Sequence, residues 1–348
     1  TKFDHPLGSR CMKIIRFGCY SLVSIGLLLA GLYGYFVYAP AAPLPVLTGQ
    51  LQSAQLQVGG LQRQYSVYLP AKPVQHPALL LVLHGSLQTS EDIRTFSGYE
   101  FERLADANGF IVVYPQGFKN NWNDCRRSAN YPARAQDIDD LGFMQGLIEK
   151  LVQEHGIDRQ RVFLTGYSNG AHLGFRIALE QPDMLNAVAA VSANLPTPDN
   201  LECRESGKPV SMLIMNGTAD PMNPYAGGKV ALYGLGNRGT VLSSLETAWY
   251  FASLAGYERA AVSSVVWSQK APFEKVTLEQ WQHATAPEVN LYSLEEGGHM
   301  LPQPYFRAPR ILGKTTSGFN GPETIWAFFS RQPARPVLPE VKNAAWPR

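Results

Sequence analysis

Between about residues 51 and 331, short continuous apolar runs alternate with stretches of helical periodicity, and most runs end at a turn. "ALLLVLHG" (78–85), "FIVVYP" (110–115), "RVFLTGY" (161–167), "NAVAAVS" (186–192), "VSMLIMNG" (210–217) and "VNLYSLE" (289–295) read as strands, and "YSVYL" (65–69) has strand-like periodicity. Residues 99–109, 139–155, 170–181, about 241–255 and 322–330 read as helices. In 139–155 an apolar face is capped by Asp139 or Asp140 and closed by Gly156. A strand apolar on both sides must be covered on both sides. The alternation therefore predicts an α/β fold: a mainly parallel central sheet with helices on both faces, spanning 53–331 as one domain. The composition, 45% apolar and 17% charged, suits such a core.

The N-terminus is of another kind. Residues 17–38 carry no charge and follow Lys13 and Arg16, which predicts either a transmembrane signal anchor or a signal peptide, and export in both cases. The stretch is longer than a usual signal core, which favours the anchor; small-residue sites near Ala39 keep cleavage open. The layout is a cytoplasmic leader over 1–16 (Met12 looks like a natural start), a linker over 39–52, and a Pro-rich tail over 332–348. Export puts the protein in the periplasm or outside the cell. There Cys125 and Cys203, the two cysteines beyond the apolar stretch, are expected to form a disulfide rather than remain buried thiols. A net charge of +2 without a basic run argues against nucleic acid.

In an α/β sheet, ligands bind beyond the carboxyl ends of the strands, so a reactive group should sit just after one. "TGYSNGAHLG" puts Ser168 at a strand-to-helix turn, with Gly166 and Gly170 leaving room for it: the Gly-x-Ser-x-Gly form of a nucleophile elbow. A serine needs a base, and the base an orienting acid. Of seven histidines, His5 precedes the membrane stretch, His76 precedes a strand, His155 ends a helix and His283 lacks strand context. His172 falls on the helix below Ser168, and His84 in "LHGS" is better suited to fixing its turn. His299 remains, after a strand and a double glycine. Asp220 follows the strand that ends near Asn216 and completes the order Ser, Asp, His, with an Asx turn before Pro221 as a compatible role. The oxyanion donors are expected to be the backbone N–H of Asn169 and that of Ser86, with Leu87 as second choice. No His/Cys/Asp cluster has metal-ligand spacing, so neither metal nor cofactor is expected.

"VLHGSLQTS", "FIVVYPQGFKNNWNDCR", "DIDDLGFM", "GIDRQRVFLTGYSNGAH", "MNGTADPMNPYAGG", "RGTVLSSLETAWYFA" and "EEGGHMLP" together resemble the polyhydroxybutyrate-depolymerase/feruloyl-esterase family of α/β-hydrolases, in order over about residues 60–330. The resemblance implies an exported serine esterase with its triad on Ser168, Asp220 and His299. It also implies that "NNWND" lies near the active-site mouth, with Trp122 either lining the pocket or packing plainly; Tyr225 has the same two readings. "SLQTS" is poorer in glycine than many relatives, and Met300-Leu301-Pro302 replaces a frequent Trp before Pro. With no polymer-binding module in view, soluble or oligomeric esters (hydroxybutyrate oligomers, feruloyl or short acyl esters) are the expected substrates rather than solid polyester. A peptidase or acyltransferase with the same triad, or an inactive binding protein, are the alternatives.

Overall fold

A computed structural model describes residues 7–270, 273–283 and 285–334, and only the backbone of 7–19 and 21. The chain divides into two units, Thr1–Pro40 with Pro309–Ile311, and Ala41–Ala308 with Leu312–Arg348. The first is built on one helix, α1 (Leu7–Phe36). Among the described residues no helix is long and apolar enough to cross a membrane. Part of the 17–38 stretch lies outside the described side chains, and most of the Pro-rich tail, 335–348, outside the described residues.

The second unit is a ten-stranded sheet. In chain order its elements are β1 (Gln50–Val58), β2 (Leu61–Leu69), β3 (Leu79–Leu83), α2 (Ser90–Phe96), α3 (Glu100–Asn108), β4 (Ile111–Pro115), α4 (Pro132–Ala135), α5 (Asp140–His155), β5 (Val162–Tyr167), α6 (Asn169–Glu180), β6 (Ala187–Val191), β7 (Ser211–Gly217), a two-stranded ribbon of β8 (Gly228–Lys229) and β9 (Thr240–Val241), α7 (Ser244–Leu254), β10 (Val262–Lys270), β11 (Phe273–His283), β12 (Ala286–Leu294) and α8 (Gly321–Ser330). The sheet order is β1-β2-β4-β3-β5-β6-β7-β12-β11-β10. The six central strands from β4 to β12 run parallel, and both margins are antiparallel.

Every residue of β3, β4, β5, β6 and β7 is buried, as helices on both faces require. α5 starts where the Asp139 carboxylate accepts from the Gly142 N–H at 2.7 Å and stops at Gly156, whose φ of 63° is left-handed. The β1–β2 hairpin turns on Gly59 and Gly60, both at positive φ, as a two-residue turn of the right twist demands. β1 starts at Gln50, inside the stretch read as linker.

The margins depart from the sequence reading, which assigns no strand to 50–58 or 262–283. β10 is mostly exposed, and β11 alternates buried with half-exposed residues because it is covered on one side. One-sided, polar-rich strands lack the continuous apolar run that marks the centre.

Candidate active site

Ser168 sits between β5 and α6 at φ 52°, ψ −113°, a conformation L residues rarely adopt. It is held there by a bond from its N–H to the Val191 carbonyl (2.9 Å). The flanking glycines have a steric cause. A Cβ on Gly166 would come within 2.4 Å of the Gly170 backbone, and one on Gly170 within 2.6 Å of the Leu83 and His84 carbonyl oxygens.

Asp220 follows β7, and His299 follows β12, the neighbouring parallel strand. The double glycine before His299 lets two loops meet: a Cβ on Gly298 would lie 2.2 Å from the Leu312 carbonyl oxygen, and one on Gly217 2.2 Å from that of Gly297. The His299 backbone is pinned by its N–H to Leu312 (2.6 Å) and by the Tyr167 hydroxyl donating to its carbonyl (2.9 Å). So placed, His299 Nε2 is 3.0 Å from Ser168 Oγ, and Nδ1 is 2.7 Å from Asp220 Oδ2. The acidic partner fixes the tautomer: Nδ1–H donates to Asp220, leaving the Nε2 lone pair facing the serine hydroxyl. Asp220 Oδ1 accepts from the N–H groups of Met222 (2.7 Å) and Asn223 (2.8 Å), the Asx turn that orients the carboxylate. The His299 and Asp220 side chains are 3% and 1% exposed, so little water competes for these bonds.

The loop after β3 is braced by His84. Its Nδ1–H donates to the Gly85 carbonyl at 2.7 Å and its Nε2 accepts from the Gly117 N–H at 2.9 Å. Burial holds this imidazole neutral, with its pKa pushed down to about 4. Asn169 opens α6, so its N–H has no acceptor within the helix. The Ser86 N–H makes no hydrogen bond among the described residues, whereas that of Leu87 donates to Asn120 O at 2.8 Å. Leu87, the second choice for the oxyanion, is thereby excluded in this arrangement.

Trp122 needs correcting as a pocket-lining residue. It is fully buried, its indole N–H donates to the His84 carbonyl (2.9 Å), and its ring centroid is 4.8 Å from that of His84. With no exposed surface it braces the loop from below. Tyr225 is half-buried, and its hydroxyl is engaged by Ser293 Oγ at 2.6 Å. Cys125 and Cys203 form a disulfide, with Cα atoms 5.0 Å apart.

Sequence reading missed the polar scaffold beneath the elbow. The Asn169 side chain accepts from the Trp122 N–H (2.8 Å) and donates to Asp124 Oδ2 (2.7 Å). Asp124 and Arg126 form a buried ion pair at 2.6 Å. Burial opposes the Asp124 charge, but the Arg126 guanidinium outweighs it and holds the carboxyl below its usual range. A second buried pair, Arg63–Asp140 at 2.6 Å, anchors the same loop through Asp140, which accepts from the Asn123 N–H. The signal for these was the density of Asn and Asp in "NNWNDCR", beside a cysteine. His172 lies one turn below Ser168, and burial, reinforced by Arg126, keeps its pKa well below the ordinary histidine value. Among the described residues no group of three or more His, Cys, Asp or Glu side chains could hold a metal ion.

The chain resembles several esterases over part of its length. The chain is 30% identical over 194 residues to the putative esterase NocK of Nocardia uniformis subsp. tsuyamanensis, covering 55% of this chain and 54% of that one. It is 26% identical over 165 residues to a poly(3-hydroxybutyrate) depolymerase of Ralstonia pickettii, covering 45% and 33%. An acetyl xylan esterase from Aspergillus awamori aligns with a TM-score of 0.51 over 73% of this chain and 95% of its own, at 17% identity, a likeness of fold. The chain spans about half or less of the length of the curated relatives it matches. Residues 63–196, which hold His84, Trp122, the elbow and Ser168, match the family described as esterase PHB depolymerase.

Proposed function

We propose that the protein is a serine carboxylic ester hydrolase using Ser168, His299 and Asp220. The observation that carries this reading is the unbroken relay from Ser168 Oγ to His299 (3.0 Å) to Asp220 (2.7 Å), set on a strained elbow at the carboxyl end of a parallel sheet. Ser168 attacks the ester carbonyl as His299 Nε2 takes its proton; Asp220 stabilises the imidazolium that forms. The N–H groups of Asn169 and Ser86 receive the oxyanion. His299 then protonates the departing alkoxide, and water, activated by the same imidazole, releases the acid from Ser168.

The relatives' names support carboxylic esters as the substrate class, with hydroxybutyrate oligomers, feruloyl esters and short acyl esters as the members to compare. The disulfide supports an oxidising compartment, and with it export directed by the 17–38 stretch, cleaved or kept as an anchor. Replacing Ser168→Ala tests the mechanism: turnover of a p-nitrophenyl ester falls by roughly 10⁴-fold or more while circular dichroism is unchanged. Activity within tenfold of the parent protein would reject it. A matched ester and amide pair separates esterase from peptidase.

A further inference from the structure

β10 closes one margin of the ten-stranded sheet, and among the described residues its outer edge is open. It pairs with β11 alone, and no other backbone group bonds to it. An open strand edge is a template for another strand, and proteins usually guard it with charge or proline. Residues 260–269 contain neither. Three valines of β10 stand in solvent instead: Val262 is 72% exposed, Val265 58% and Val266 41%. The opposite edge is of another kind. β1 carries four glutamines, and Leu51 is its one exposed large apolar side chain.

β10 is also held in place. Trp267 and Gln269 lie against Gly318, where an added Cβ would come within 2.9 Å of each. The N–H groups of Gly318 and Ser317 donate to Glu274 at 2.7 and 2.9 Å, and Glu274 stands opposite Gln269 on β11. An edge already fixed loses little freedom when a strand joins it.

The sequence of this edge is complementary to itself. Two copies joined antiparallel about a two-fold axis at Ser264 set Val262 opposite Val266 and Ser263 opposite Val265. The same register brings the exposed Glu258 of each copy to the exposed Lys270 of the other, so the charges flanking the neutral run match. The bulge between Val265 and Trp267 bends the strand and confines straight pairing to its first half.

We propose that β10 is a dimer interface: a second copy of this chain adds antiparallel along residues 262–266 and continues the sheet. β10 runs parallel to β12, so the second copy's strands point the opposite way and the two Ser168 sites open at opposite ends of the joined sheet. Catalysis by each chain is therefore independent of the pairing.

Sedimentation velocity of the full chain, in a non-ionic detergent that covers the apolar α1, tests this. Dimers should form at about 10–100 μM, the range of a small interface. Val265→Lys should weaken association by about tenfold or more while p-nitrophenyl ester turnover per chain stays unchanged. Glu258→Lys alone should weaken it about threefold to tenfold at low salt, and Glu258→Lys/Lys270→Glu should restore it. With Cys11 and Cys19 replaced by serine, Ser264→Cys should oxidise to a covalent dimer, because that residue meets its own copy. A parent monomeric at about 200 μM, association unmoved by Val265→Lys, or a charge reversal that the double variant does not restore overturns the proposal. So does a mixed disulfide between Ser264→Cys and Ser53→Cys chains, which would assign the edge to β1 of the next copy and an open chain of subunits.

Discussion

Asp124→Leu removes the acceptor at the centre of the scaffold below the elbow. The Asp124 and Arg126 side chains are 0% and 2% exposed, and the carboxylate takes the guanidinium at 2.6 Å through Nη2 and 3.1 Å through Nε. Without it, Arg126 keeps only the Tyr131 hydroxyl at 3.5 Å, and water cannot reach it. Breaking one partner of such a pair costs about 3–5 kcal/mol, because the surviving charge stays buried. Asn169 Nδ2 also loses its 2.7 Å bond but keeps one to Trp122 O at 3.2 Å, adding about 1 kcal/mol. The double variant Asp124→Leu/Arg126→Met strands no charge, so it should lie within about 2 kcal/mol of the parent, well short of the summed cost of the two single variants. Urea unfolding with the disulfide intact reads both, provided the m-value is constant. A single variant costing less than about 1 kcal/mol, or a double costing the sum of both singles, would refute the account of the pair.

Other predictions follow from the same contacts. His84 is neutral in the fold with a pKa of about 4, against 6.5 for a free histidine, so the unfolded chain binds its proton first as pH falls. Stability contributed by this residue is therefore present above pH 6.5 and declines towards pH 4, by about 3 kcal/mol in all. His84→Gln should flatten that part of the pH profile of unfolding, and an unchanged slope would contradict it. Gly170→Ala puts a methyl group 2.6 Å from two carbonyl oxygens of the β3 end, which cannot swing aside. It should lower stability by about 1–3 kcal/mol and esterase turnover with it; a variant with the parent's unfolding midpoint and rate would show that the close approach is unnecessary.

The central strands were legible because each is buried on both faces. "LLLVL", "IVVYP" and "AVAAV" contain no polar residue to break the pattern. Ser168, Asp220 and His299 could be placed together because each follows such a strand, and parallel strands bring their carboxyl ends to one side of the sheet. β10 and β11 were hidden by their one-sided or exposed character, and no local rule distinguishes their alternation from a loop. The Asp124–Asn169 bond joins residues 45 positions apart, and its cause is tertiary burial, which composition does not encode. Trp122 was ambiguous for a related reason. A large aromatic suits a pocket wall or a core, and only the His84 carbonyl waiting for its N–H decides between them.

The claim on which the rest depends is that Ser168 carries the acyl group. Quenching the protein in acid during turnover of a slowly deacylating p-nitrophenyl ester, then mapping peptides by mass spectrometry, reads it directly. The account predicts one acyl group per chain, on the peptide containing Ser168 and absent from Ser168→Ala. An adduct on another residue, or steady turnover by Ser168→Ala, would contradict it.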